Sequence, residues 1–264
     1  MEIVLMKFLN SYIYIEHLEV KKYSFWLYLS RATHTNSLKI CLKRFKIVSN
    51  IKYIIFDFDG TIADTIDMAL NIYNRIAPEY NCKPVNDEDL KRIRSGKPQE
   101  FLKEYRVTAF KLVLILLRIR KELSKQIPEF KLVKDIKDSL WKLKNKGLRL
   151  GILTSNSKNN VKAFLENNNL SDIIDFVYNG KSLFGKDRVI MQLLDHENIS
   201  SEDVVYIGDE TRDIEASKKV GIPIVAVSWG LNSREILASL EPNQIVDSPK
   251  ELFRCVEQII DMHL

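Results

Sequence analysis

The sequence predicts an α/β protein: a doubly wound parallel sheet with a small all-helical domain inserted near its start. Three observations carry that prediction. The apolar, β-prone run at 53–56, without polar alternation, reads as a strand buried on both faces, and 148–153, 204–207 and 224–227 read as further strands. From Val133 onward these runs alternate with helix-period segments, the pattern of repeated β-α units. Between residues 66 and 130 helix-like patterns occur with no clear strand among them. The division that follows is an extension over 1–50, a core made of 51–65 and 131–264, and a helical cap over 66–130.

The extension differs from the rest in composition. It holds eight Lys and Arg against three Glu (Glu2, Glu16, Glu19), interleaves them with Tyr12, Tyr14, Tyr23, Phe25, Trp26 and Tyr28, and contains neither Gly nor Pro. The whole chain has 40 basic and 35 acidic residues, so 51–264 is left with 32 of each and is neutral. A nucleic-acid footprint is therefore not expected on the main body. The three glutamates and the lack of an uninterrupted apolar stretch argue against a secretory or transit peptide. Two further readings compete, a basic peripheral membrane or partner segment and an over-extended reading frame whose natural start lies near Val48. The second is preferred, because the predicted core needs nothing before Ile51. No apolar run reaches the roughly 18 residues that span a bilayer, and Cys41, Cys82 and Cys255 have neither disulfide nor zinc spacing. A cytoplasmic protein in a reducing compartment is expected, monomer or dimer being left open.

The first strand, 53–56, ends in Asp57-Phe58-Asp59-Gly60-Thr61. A helix follows to Pro78, with Asp64 or Thr65 as its N-cap and Ile66, Ala69, Leu70, Tyr73 and Ile76 at helical spacing. The insertion continues with helices over 87–94, 99–105 and 108–126, broken by Pro84, Ser95-Gly96, Pro98 and Pro128. In the core, an amphipathic helix over 136–146 stops at Gly147 and leads into strand 148–153. Helix 158–167, a short strand near 176–178, helix 187–196, strand 204–207, helix 213–220, strand 224–227, an edge strand at 245–246 and a terminal helix over 249–262 complete the order.

The chemistry collects at the ends of these strands, where open α/β sheets bind ligands. Asp57 and Asp59 are two apart and project to the same side if the extended geometry persists, and Gly60 lets the chain turn sharply. Two like charges held so close push their proton affinities apart, which suits one to attack and the other to carry a proton. An Asp-Gly turn closing an ordinary strand is the simpler alternative. Thr154-Ser155-Asn156-Ser157 follows the second core strand and opens a helix, offering a hydroxyl and backbone N–H groups as a phosphate cradle or simply an N-cap. Lys186 precedes a helix, where its ammonium would offset the charge of a transferred group; Lys181 is the competitor. Gly208-Asp209-Glu210-Thr211-Arg212-Asp213 closes the next strand. Hard carboxylate oxygens there suit Mg²⁺, and Asp213 is read either as a metal neighbour or as a helix cap.

The string Asp-Phe-Asp-Gly-Thr-Ile-Ala-Asp-Thr at 57–65 resembles the first motif of the haloacid dehalogenase superfamily. Thr154 falls where that superfamily has its second motif, Lys186 where it has its third, with Lys-Asp replacing the usual Lys-Pro, and Gly-Asp-x-x-x-Asp at 208–213 resembles the fourth. The continuation Ile214–Ile222 is similar to phosphoglycolate phosphatase-like members. The resemblance covers 51–262 and implies a Rossmann-like core with a helical cap between the first and second motifs, and a Mg²⁺-dependent phosphatase acting on a small phosphate ester. It assigns Asp57 as nucleophile, Asp59 as acid and base, and Thr154 and Lys186 as ligands of the non-bridging oxygens. Gly60, Thr61, Ser155 and Asn156 are supporting phosphate contacts, and Asp57, Asp59 (through its carbonyl), Asp209 and Asp213 form the metal set. Arg94, Lys97 and Gln99, where family caps carry substrate loops, are candidates for gripping a second anionic group, or belong to a solvated basic face. A second Asp two positions on argues against a dehalogenase, because a halide leaves without a proton. A mutase similar to β-phosphoglucomutase shares the core, and a non-catalytic module recruited through the extension is the alternative from another class.

Overall fold

The computed structural model describes residues 51–95, 104–105, 107–126, 130–180 and 185–262. The expectations for 1–50, and the larger part of the helix expected over 99–105, lie outside these residues. A six-stranded, all-parallel sheet forms the centre, made of β1 (Tyr53–Asp57), β2 (Arg149–Thr154), β3 (Phe176–Asn179), β4 (Val204–Gly208), β5 (Ile224–Val227) and β6 (Gln244–Val246). Its order is β3-β2-β1-β4-β5-β6. The chain works outward from β1 through β2 to β3, then returns to the other side of β1 with β4, so β1 and β4 flank the point where the direction of winding reverses. Such a switch point leaves a crevice at the carboxyl ends of the strands.

Strand alternation divides the apolar residues between two layers of helices. Ile54 and Phe56 of β1, Leu150 and Ile152 of β2, and Val205 and Ile207 of β4 join one cluster with α4 (Ile136–Asn145), α5 (Lys158–Asn167) and α9 (Pro249–Met262). Ile55, Leu153, Val204, Tyr206 and Ile224 point the other way, into a cluster with α6 (Lys186–Glu197) and α7 (Thr211–Val220). The strands have apolar side chains on both faces, and this is why they read as continuous apolar runs.

Between β1 and α4 the described residues form three α-helices, α1 (Ile66–Ile76), α2 (Asp87–Arg94) and α3 (Ala109–Leu123). They share a cluster of their own, in which Ala69, Ile72, Tyr73 and Ile76 of α1 meet Ile93 of α2 and Leu112, Ile115, Leu116 and Ile119 of α3. Asn86 caps α2 through a reciprocal pair of bonds with Asp89, and Thr108 caps α3 by accepting from the Lys111 N–H. Thr65 stands at the N-cap of α1 but gives its hydroxyl to Asp59 instead of to its own helix. Leu231, from the loop after β5, enters the same cluster and joins this helical layer to the sheet. The short helix α8 (Arg234–Ala238) follows that loop and was not expected from the sequence. Among the described residues no helix is long and apolar enough to cross a membrane.

Candidate active site

The first carboxylates are placed by what lies between them. Phe56 and Phe58 are fully buried on one face, Phe58 packing edge-on to Phe164 with centroids 4.9 Å apart. Alternation then turns Asp57 and Asp59 away from that face. Asp57, the last residue of β1, is buried; Asp59 is half-buried and its Oδ1 accepts from the Thr65 hydroxyl at 3.0 Å. Gly60 makes the turn with φ +80°, and a Cβ there would lie 2.6 Å from Asp209 Oδ2. Only glycine fits on both counts. Thr61, fully buried, donates its hydroxyl to Asp209 Oδ1 at 3.0 Å, and its carbonyl accepts from the Trp229 indole N–H at 3.2 Å.

Asp209 follows β4 and is held from two sides. Besides Thr61, the Leu231 N–H donates to its Oδ2 at 2.7 Å. Gly230 lies so close that a Cβ on it would be 2.2 Å from the Asp209 Cβ. Asn232 completes the brace: its N–H donates to the Asp209 carbonyl at 3.3 Å and its side-chain oxygen accepts from the Thr211 N–H at 3.0 Å. Asp213 Oδ2 accepts from the Glu210 N–H at 3.0 Å, so this residue caps the start of α7 while also standing in the site.

Lys186 opens α6. Its ammonium lies 3.0 Å from Asp57 Oδ2 and is also ion-paired with Asp213, tying the end of β1 to the start of α7. The competing Lys181 lies outside the described residues. Asp57, Asp209, Glu210 and Asp213 each bring a carboxylate oxygen within 4.8 Å of the others, and all four are buried. Glu210 is an addition that sequence reasoning missed; it pairs with Arg212, Nε to Oε2 being 3.2 Å. Asp59 is not one of the four.

This cluster is electrostatically loaded. Burial, with Glu210, Asp57 and Asp213 adding repulsion, pushes the Asp209 carboxyl well above the usual carboxylate range. Asp213 is pushed up to about 7, chiefly by burial and against the pull of Lys186. Burial disfavours charge on Lys186, but Asp213 and Asp57 outweigh it and hold the ammonium well above its ordinary value. Once ionised, the four carboxylates face two cations among the described residues, Lys186 and Arg212, which leaves two negative charges for a bound cation to balance. Oxygen-only donors with that surplus fit a hard divalent cation such as Mg²⁺.

The loop after β2 supplies the other wall. Thr154 is buried, and its Oγ accepts from the Asn156 N–H at 2.9 Å. The Asn156 side-chain oxygen is spent within the loop, accepting from the Ser157 N–H at 2.9 Å and from Asn160 at 2.8 Å. Ser157 caps α5 by accepting from the Asn160 N–H. The carbonyl of Ser155 accepts from the Arg120 guanidinium, which arrives from the last turn of α3. Arg94, at the end of α2, goes elsewhere. Its Nη2 donates to the Gly230 carbonyl at 2.7 Å and to the Ser228 carbonyl at 3.4 Å, and its own carbonyl accepts from the Ser233 N–H. It thus fastens the helical layer to the loop that braces Asp209. Lys97 and Gln99 lie outside the described residues.

The comparisons with known proteins agree with this architecture. Residues 54–227 match the family model described as haloacid dehalogenase-like hydrolase. The chain is 33% identical over 207 residues to a phosphoglycolate phosphatase of Synechococcus elongatus, covering 78% of this chain and 98% of that one. It is 25% identical over 217 residues to the pyrophosphatase PpaX of Oceanobacillus iheyensis, covering 78% and 97%. The crystal structure of a predicted phosphatase from Clostridium acetobutylicum superposes with a TM-score of 0.67 at 25% identity, covering 79% of this chain and 99% of that one. With four motif-bearing loops converging on one crevice and a family model spanning most of the sheet, the chain belongs to the haloacid dehalogenase-like hydrolases.

Proposed function

We propose that this protein is a Mg²⁺-dependent phosphomonoester hydrolase of small phosphorylated metabolites, working through an aspartyl-phosphate on Asp57. The observation that carries the reading is the buried Lys186 ammonium held between Asp57 and Asp213, inside a carboxylate cluster with excess negative charge. A phosphoryl group entering beside Asp57 meets a fixed positive charge on one side and the Thr154 loop on the other. Asp57 attacks phosphorus in line and the ester oxygen leaves, so one difficult displacement becomes two easier ones. Asp59 gives its proton to the leaving oxygen and then takes one from the water that attacks the acyl phosphate. The Thr65 hydroxyl bonded to Asp59 Oδ1 keeps that carboxyl oriented between the two steps. Asp57, the Asp59 carbonyl and Asp209 are the residues that would hold Mg²⁺, with Asp213 beside them. When bound, the ion screens the repulsion between carboxylate and phosphate. The helices α1 to α3 act as a cap, and Arg94 and Arg120 anchor it to the two loops at the crevice.

Phosphoglycolate is the first substrate to test, on the strength of the Synechococcus relative. Phosphate release should be measured from phosphoglycolate, pyrophosphate, sugar phosphates and nucleoside monophosphates, with Asp57→Asn as control. Release that disappears with EDTA and in the mutant supports the reading, and the ranking names the substrate. Release from no ester above the Asp57→Asn level overturns it.

A further inference from the structure

The loop after β5 is held at both ends by one residue. Asp247, just beyond β6, accepts from the Ser228 hydroxyl at 2.6 Å through Oδ1 and from Arg234 Nη1 at 2.6 Å through Oδ2. Between these anchors the chain crosses behind Asp209, and two of its bonds share a single peptide unit. The Gly230 carbonyl accepts from Arg94 Nη2 at 2.7 Å, and the N–H at the other end of the same peptide bond, that of Leu231, donates to Asp209 Oδ2 at 2.7 Å. A trans peptide is a rigid plane whose C=O and N–H point in opposite directions, so aiming the carbonyl at Arg94 aims the N–H at the carboxylate.

We infer that Arg94 is a positioning residue for Asp209, acting through the Gly230–Leu231 peptide, so that the affinity of the crevice for its divalent cation is set partly by a side chain of the helical layer that lies outside the metal set. This rests on the reading of Asp209 as a metal ligand of the hydrolase. An arginine in the last turn of a helix ordinarily serves the free carbonyls of its own helix. Arg94 instead sends Nη2 to the Gly230 and Ser228 carbonyls, and its own carbonyl accepts from the Ser233 N–H at 3.0 Å, so the end of α2 is bonded to the loop on both sides of Leu231. A cation on the carbonyl polarises the peptide and strengthens its N–H as a donor, an effect that low local dielectric preserves. The peptide has no room to settle elsewhere. A Cβ on Gly230 would lie 2.2 Å from the Asp209 Cβ, the Leu231 side chain is buried in the cluster of the helical layer, and the Asn232 N–H is bonded to the Asp209 carbonyl. A guanidinium withdrawn from the carbonyl therefore changes the aim of a bond to the metal carboxylate.

The test reads metal binding without turnover. Mn²⁺, a hard divalent ion whose free form is measured directly by electron paramagnetic resonance, is titrated into the full chain and then displaced with Mg²⁺, for the wild type, Arg94→Met, Arg94→Lys and Asn74→Ala. Arg94→Met keeps an apolar stem and removes the guanidinium; it should bind both ions roughly tenfold more weakly, as expected when a metal ligand loses outer support. Arg94→Lys keeps a cation and should recover part of the loss. Asn74→Ala is the control for a loosened helical layer, because the Asn74 side chain bonds the N–H and carbonyl of Val85, at 2.7 Å each, within that layer; its ion affinity should equal the wild type's. Wild-type affinity in Arg94→Met overturns the inference, as does an equal loss in Asn74→Ala, which would make Arg94 a strut only. If Arg94→Met does not fold, Arg94→Lys decides, an affinity equal to the wild type's counting against the inference. A wild type that binds neither ion removes the metal reading of the cluster and this inference with it, whereas binding that survives Arg94→Met removes the inference alone.

Discussion

Replacing Thr61 by Val removes one hydroxyl and leaves the shape of the side chain nearly unchanged. Thr61 is fully buried, and among the described residues its Oγ is one of two donors bonded to the Asp209 carboxylate, the other being the Leu231 N–H. Valine keeps the β-branch and its restricted χ1, so the change isolates the bond. Asp209 Oδ1 then loses its partner where water does not reach. A hydrogen bond to a charged group contributes about 1.5–3 kcal/mol, which for a domain of this size lowers Tm by roughly 3–12 °C. The second consequence is specific to the site. A carboxylate that loses its orienting donor should bind its metal roughly tenfold to a hundredfold more weakly. Thermal unfolding with and without Mg²⁺, and the Mg²⁺ concentration for half-maximal phosphate release, measure the two effects. Thr61→Ser, which keeps the hydroxyl, should recover most of both. A Thr61→Val protein that matches the wild type in Tm and in Mg²⁺ requirement would refute the reasoning that this bond positions the metal carboxylate.

Gly60→Ala should be worse than its size suggests. The new Cβ meets Asp209 Oδ2 at 2.6 Å, and Asp209 cannot retreat because Gly230 is packed against its Cβ; the positive φ adds about 1–2 kcal/mol of strain. Loss of Mg²⁺-dependent activity with a lowered Tm is expected, and full activity would show that the loop has slack. The metal-free protein should be more stable at pH 6 than at pH 8. Asp213 is pushed up to about 7 when folded, from 3.8 when unfolded, so between those values the folded state holds a proton the unfolded state lacks, and stability falls as pH rises through 7. The effect is on the order of 1 kcal/mol for this residue alone. Mg²⁺ needs the carboxylates ionised, so its addition should raise Tm more at pH 8 than at pH 6; the opposite order, read by calorimetry, would contradict the cluster as the metal site.

How much of this was legible in the sequence depended on whether the controlling interaction was local. The inner strands declared themselves because both of their faces are covered, which makes Ile54, Ile55 and Phe56 apolar in succession. Helices such as α5 and α9 were found at their observed limits because Ser157 and Pro249 mark their starts. Asp57, Asp209, Asp213 and Lys186 were singled out because each sits at a strand or helix end with its motif around it, and the folded chain brings the four together. Glu210 was passed over, since a carboxylate between two others in a turn looks solvated; only the folded chain shows it buried with Arg212 beside it. The brace of Asp209 by Gly230, Leu231 and Asn232, with Trp229 bonded to the neighbouring Thr61 carbonyl, comes from a loop about 20 residues away in sequence that has no motif of its own. Arg94 was read either as a group facing substrate or as part of a solvated basic face. Its bonds to backbone carbonyls are long-range contacts that no local pattern encodes. The bond from Arg120 to the Ser155 carbonyl is equally illegible, because basic residues at the end of α3 are ordinary partners of the helix dipole.

The most direct test of the central claim is to stop the Mg²⁺-loaded enzyme with acid while it turns over phosphoglycolate and to weigh the peptide that contains Asp57. The account predicts a phosphoryl group on Asp57 during turnover, absent after substrate is exhausted and absent throughout in Asp57→Asn. Steady phosphate release with an Asp57 peptide that is never modified, or an Asp57→Asn protein that turns over at the wild-type rate, would contradict it.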